Sequence, residues 1–133
     1  MRTIILLPLA ALAACTAAVD DGVETGAAED AAITEALAGR SAGTPVACVR
    51  QQDLRNTRAV GAATILFDGP GDTVYVNRTR SSCPRIQPWH AIRHQTINTA
   101  MCSGELIRVF DPQTGVEYGG CSLGDFTPYR RGP

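Results

Sequence analysis

Ala63-Thr64-Ile65-Leu66-Phe67-Asp68-Gly69-Pro70-Gly71-Asp72-Thr73-Val74-Tyr75-Val76-Asn77 is the stretch that decides the fold class. Both flanks are rich in β-branched and aromatic residues, which suit a pleated, half-buried surface. Between them, Asp68 to Asp72 gathers the residues that turns use. Glycine gives backbone freedom, proline a preset φ, and aspartate local side-chain hydrogen bonds. The stretch reads as a β-hairpin.

Working outward, the same texture recurs towards the C-terminus. Glu105 to Phe110 and Val116 to Leu123 flank Asp111-Pro112-Gln113-Thr114-Gly115, a second hairpin. Val46-Ala47-Cys48-Val49 is short and β-leaning. Between the hairpins, Pro84 to Met101 is broken by prolines, and we expect a helical turn around Trp89 to His94. The pattern predicts a mainly β fold: a small antiparallel sheet or compact barrel with one short helical segment. At 133 residues the chain has the length of one domain.

Five cysteines are present, an odd number that asks what becomes of the unpaired one. Cys15 closes the N-terminal segment, and the other four lie within the β region. Ninety residues bury only a modest core, so covalent staples are expected there. Four cysteines allow three connectivities. We expect Cys83–Cys102, clipping the central loop, and Cys48–Cys121, joining the first strand to the last. Their spacings of 35, 19 and 19 residues contain no Cys-x-x-Cys pair, which argues against a structural zinc site or a thioredoxin-like couple.

The N-terminus reads as an export signal over residues 1–14. Arg2 supplies a positive start, and Ile4 to Ala11 a short apolar run. That run is too short to span a bilayer, which takes roughly 20 residues, but it fits a cleavable signal. Leu12-Ala13-Ala14-Cys15 then looks like a lipobox, in which the thiol becomes a diacylglyceryl thioether. Cleavage after Ala13 would instead leave Cys15 a free thiol in an oxidising compartment, an unfavourable outcome. Several acyl chains on one cysteine hold firmly, since each buried methylene contributes about 0.8 kcal/mol. Thr16 after the cysteine, in place of Asp, fits sorting to the periplasmic face of the outer membrane. The expected address is therefore the bacterial cell envelope, with the membrane engaged through the N-terminal lipid.

Residues 15–43 are rich in Ala, Gly, Thr and acids, and Thr16 to Gly43 carries a charge of −5. Asp30 to Leu37 favours a short helix, although one marginal alone. We expect this stretch to be a flexible tether and residues 44–133 to form the domain, at +3. All twelve basic residues are arginine, and the whole-chain charge of −1 gives no pull towards nucleic acid.

Cys48-Val49, the hairpin ending Tyr75-Val76-Asn77 before Cys83, Leu106 to Asp111 after Cys102, and Gly120-Cys121-Ser122-Leu123-Gly124-Asp125-Phe126 together resemble a family of small exported proteobacterial proteins, catalogued as a domain of unknown function. The resemblance implies an envelope address and a cysteine-stapled domain, and it brings no catalytic residue with it.

Candidate chemistry is sparse. His90 and His94 stand four apart, and on a helix they would share a face able to hold a metal. Ala91 replaces the glutamate of a zinc-protease motif, and no third ligand is evident. No serine lies in a Gly-x-Ser-x-Gly elbow. Glu105, Glu117 and Asp125 would make a glycosidase pair only by chance proximity. Asn77-Arg78-Thr79 matches a glycosylation sequon that carries no meaning in a bacterium. Arg78, Arg80 and Arg85 surround the central loop, with Arg130-Arg131 near the end; their forks suit phosphate and carboxylate groups. Trp89, between Pro88 and His90, is either a core plug or an exposed anchor. No cofactor motif is present.

Two functions follow. The first is a non-enzymatic envelope module that binds an envelope protein or an anionic envelope component through Arg78, Arg80, Arg85 and Trp89. The second is a small metal-binding or hydrolytic protein using His90 and His94.

Overall fold

The computed structural model describes residues 21–133, with side chains from residue 27 onward. The export signal over residues 1–14, Cys15 and the start of the expected tether lie outside the described residues. In chain order the elements are helix α1 (Asp21–Ala36), then β1 (Arg40–Ala42), β2 (Cys48–Arg50), β3 (Thr57–Ala59), β4 (Thr64–Asp68) and β5 (Val74–Arg78). There follow β6 (Ala91–His94), β7 (Ala100–Cys102), β8 (Leu106–Phe110), β9 (Glu117–Ser122) and β10 (Phe126–Arg131).

The β4–β5 hairpin forms as its sequence demands, with Leu66 opposite Val76 and Phe67 opposite Tyr75. It is the centre of a five-stranded antiparallel sheet ordered β1-β10-β5-β4-β3. Strand β4 is buried on both faces, so its apolar run is continuous rather than alternating. On one face Leu66, Val74 and Val76 meet Ala36 and Leu37 at the end of α1. On the other, Ile65, Phe67 and Phe126 enter the main core. Phe126 packs there against Phe67 and Tyr75, with ring centroids 5.6 and 6.4 Å apart.

Two small sheets close that core. In β6-β8-β9, Ile107 and Val109 are fully buried; in β2-β7, Val49 and Met101 point inward. The β8–β9 hairpin is the second one expected. Asp111 shapes its turn, the Oδ1 accepting from the amides of Gln113 (2.7 Å) and Thr114 (3.3 Å). The fold is thus mainly β and antiparallel, with one helix and two disulfides. The large sheet ends in two edge strands, β1 and β3, instead of closing into a barrel.

Three expectations need correction. The disulfides are Cys48–Cys102 and Cys83–Cys121, not Cys83–Cys102 and Cys48–Cys121. The reason is register. Cys48 and Cys102 stand directly opposite each other on antiparallel β2 and β7, with Cα atoms 4.1 Å apart, so their side chains meet. Strand β7 leaves the central loop for β2, which frees Cys83 for Cys121 on β9.

Secondly, Ala91–His94 is a strand and not a helical turn. It pairs with β8, Ile92 opposite Val109, and the gain from a sheet partner overrides local propensity. Thirdly, the stretch expected as a tether is ordered well before residue 44. Helix α1 runs to Ala36, and β1 pairs with β10, Arg40 opposite Arg131. Leu37 is anchored on the large sheet, while Arg40 donates to the carbonyls of Ala36 (3.1 Å) and Asp72 (2.9 Å). The helix forecast for Asp30 to Leu37 is the C-terminal part of α1, and tertiary contact supplies the stability that its length lacks.

Candidate functional site

The loop from Cys83 to His90 is the segment whose shape most needs explaining. It starts at a buried cysteine tied to β9 and carries two turns, closed by Ile86 N–H to the Cys83 carbonyl and His90 N–H to the Gln87 carbonyl. Within it Arg85 has φ +52, a left-handed conformation uncommon for a side chain of this size. Such strain persists where the surroundings hold it, and it gathers at functional sites. Here the holding contact is the His90 Nδ1, which lies 2.8 Å from the Arg85 carbonyl oxygen.

The pairing of β8 with β9 then delivers a partner for this loop. Val109 faces Gly119 and Phe110 faces Glu117, so Tyr118 is an extra residue in a β-bulge. Gly119 supports the bulge with φ +117, a conformation that glycine adopts without strain. A bulge re-aims a side chain, and Tyr118 is turned onto the loop. Its ring lies 4.8 Å from that of His90, and the Arg85 guanidinium sits 5.1 Å from its centroid. Trp89 meets His90 edge-on at 5.9 Å.

The result is a ladder of Trp89, His90, Tyr118 and Arg85, and Trp89 keeps 68% of its surface exposed. It is exposed, and so does not plug the core. Next to the ladder, Arg93 stacks on Phe110 at 4.9 Å and pairs with Glu117 at 3.1 Å. The Asp111 carboxyl is held below its ordinary value, first by the Gln113 amide and in smaller part by the nearby His90 ring.

Of the four ligand-contact residues expected from sequence, the fold brings Arg85 and Trp89 together and sends the other two elsewhere. Arg80 donates to Ser103 Oγ at 3.1 Å. Arg78 ends β5, and its carbonyl lies against Gly124, where a Cβ would collide with it. Arg131 faces Asp72 at 4.0 Å across the β1 side of the large sheet. Asn77 is fully buried and bonded to Gly124, so its amide is closed to a glycan in the folded chain.

The histidines part company. His90 belongs to the ladder. The His94 side chain is only 3% exposed, and its Nε2 lies 2.8 Å from Glu105 Oε2. Its Nδ1 is buried without a hydrogen-bond partner. Glu105 in turn accepts from the Cys102 amide at 2.6 Å, and that bond is the main reason its carboxyl titrates below the ordinary value. The expected shared helix face is absent, because His90 closes a turn and His94 ends strand β6. Among the described residues, no three His, Cys, Asp or Glu side chains group as a metal site. Glu105 and Glu117 serve His94 and Arg93 separately, and Asp125 makes no bond with either.

A polar pocket of about 400 Å³ at the β3–β4–β5 end is walled by Arg40, Arg58, Asp68 and Asp72. These groups already satisfy one another: Arg58 reaches Asp68 at 3.4 Å, and Asn56 donates to Asp68 at 3.1 Å. Tyr118 is the member of the ladder that sequence reasoning missed. The signal was Tyr118-Gly119-Gly120, since paired glycines inside a strand mark a bulge.

Comparison of the chain with protein-family models, with curated proteins and with solved structures finds no match. Among the described residues, no helix is long and apolar enough to cross a membrane.

Proposed function

We propose that this is an exported envelope lipoprotein, anchored through Cys15, whose β domain is a non-enzymatic module that binds a partner protein. The exposed Trp89 at the head of the His90–Tyr118–Arg85 ladder carries this reading. Tryptophan, tyrosine and arginine are the residues that most often dominate protein interfaces. Binding costs least where such groups are already ordered, and the disulfide, the strained Arg85 and the Tyr118 bulge all fix the ladder in advance. The Arg85 guanidinium has no carboxylate partner among the described residues, which favours an acidic residue on the partner.

The test is a crosslinked pull-down of the tagged protein from intact cells, beside Trp89→Ala and an unrelated lipoprotein control. The expected result is one specific envelope protein, recovered at least tenfold less well with Trp89→Ala, as removal of a hot spot of about 2 kcal/mol implies. Equal recovery with that variant, or recovery of the control's background alone, sinks the reading. In the same cells Cys15→Ser is expected to leave the membrane fraction or remain unprocessed. Normal retention of that variant ends the lipid-anchor assignment.

A further inference from the structure

A groove of about 570 Å³ runs between α1 and the loop that carries the ladder. Ala28 and Ala32 of α1 form one side, with Val60, Ile86 and Pro88 across from them. This volume is in the range of small-molecule sites, which are mainly apolar with a few placed polar groups. The placed groups here are two arginines, Arg58 and Arg85, against one acid, Glu29. Glu29 is itself turned onto the backbone of Gly61, where any Cβ would strike its carboxyl. Arg58 is paired with Asp68 at 3.4 Å, which leaves Arg85, with no ion pair among the described residues, as the free charge of the groove.

An apolar trough with unspent guanidinium charge at its edge suits an occupant that is a hydrocarbon with one anionic end. Guanidinium forks match a carboxylate in two parallel hydrogen bonds. We propose that the groove binds one free medium-chain fatty acid, its chain along Ala32, Val60 and Ile86 and its carboxylate at Arg85. This site shares Arg85 with the protein-binding ladder, so a fatty-acid carboxylate and an acidic residue of the partner protein would compete for the same guanidinium.

The protein as isolated from cells is titrated with octanoate, decanoate and dodecanoate below their micellar concentrations. Native mass spectrometry reads stoichiometry, and Trp89, the single tryptophan, reads affinity by fluorescence. One fatty acid per chain is expected, with each added methylene tightening binding about three- to fourfold. Arg85→Gln is expected to weaken dodecanoate about tenfold while leaving dodecanol unchanged, and Arg85→Lys to restore part of the loss. Ala32→Phe fills the groove and abolishes binding. Ala28→Phe serves the same purpose should the first variant disturb the fold, as its melting curve would reveal. Trp89→Ala, followed by mass spectrometry alone, keeps fatty-acid binding even where it loses the partner protein. Affinity that ignores chain length, or that survives both phenylalanine variants, overturns the proposal. So does binding to anionic vesicles with none to the free acid.

Discussion

The five-stranded sheet contains no cysteine, whereas both disulfides fall among the small sheets and the loop leading into them. The difference follows from how much each part buries. β4 and β5 sit between two apolar layers, with Leu66, Val74 and Val76 on one side and Ile65 and Phe67 on the other. β2 and β7 are three residues each and offer the core little beyond Val49 and Met101. Two short strands form no stable sheet alone. A covalent bond between facing residues makes up what apolar area does not supply. The candidate binding ladder lies on the stapled part, where loops are held in shape without being buried.

Removing the staples should have the largest effect. In the chain-entropy model, loops of 54 and 38 residues each contribute about 4 kcal/mol. The loops overlap, so the joint loss is smaller than the sum, yet it remains large beside a domain stability of about 5–15 kcal/mol. Replacing Cys48 and Cys102 by alanine is expected to lower the urea-derived stability by about 4 kcal/mol. Hydrogen exchange should then quicken in β2 and β7 before β4 and β5. If Leu66 and Val76 lose protection in step with Val49 and Met101, the two regions differ in fastening and form a single cooperative unit.

The large sheet has one polar bolt, and it marks the next effect in size. Asn77 on β5 is fully buried; its amide donates to the Gly124 carbonyl at 2.8 Å, and its Oδ1 accepts from the Gly124 N–H at 3.0 Å. Gly124 lies in the connection from β9 to β10, so this pair of bonds joins the stapled region to the unstapled one. Asn77→Ala leaves both backbone groups without partners, at a cost of about 1–3 kcal/mol for each group left unsatisfied. A stability loss of about 3 kcal/mol is expected by urea unfolding, with the β4–β5 register intact in amide exchange. A loss below about 1 kcal/mol would show that water replaces the side chain.

The same contrast governs what could be read from the chain. β4–β5 and β8–β9 were legible because each is local: two β-rich runs joined by a turn with its own chemistry. β6 was not, since its partner β8 lies beyond β7, and nothing in Ala91-Ile92-Arg93-His94 marks an extended segment before that partner arrives. The disulfide pairing failed for the same reason, because it depends on β7 crossing to β2. The helix over Asp30 to Leu37 was legible, but its docking and β1 were hidden by composition: an acidic, alanine-rich stretch gains order only when Leu37 finds the outer face of the large sheet. At the candidate site, Arg85 and Trp89 were visible as residue types, but the bulge that adds Tyr118 is a matter of register. Glu105 was noticed as an acid, while its bonds to His94 and the Cys102 amide appear only once β7 and β8 are adjacent in space.

Glu105 offers the smallest effect and the sharpest discrimination between the regions. Its carboxylate sits beside the Cys48–Cys102 staple, accepting from the Cys102 amide and facing His94. The amide bond above all, with His94 and Thr96 adding to it against a burial penalty, puts its folded pKa below the ordinary 4.5. A carboxyl depressed on folding stabilises above its unfolded value, and that stability is lost as pH falls through the folded one. Denaturation midpoints should therefore decline from pH 4.5 downward, and Glu105→Gln should flatten part of that slope. At pH 7 the variant is expected to lose on the order of 1 kcal/mol. In hydrogen exchange at pH 3.5, wild-type β7 should loosen while β4 stays protected, so acid and reductant would attack the same part of the molecule. An unchanged slope in Glu105→Gln would move the acid-sensitive group elsewhere and leave the disulfides as the only difference in fastening between the two regions.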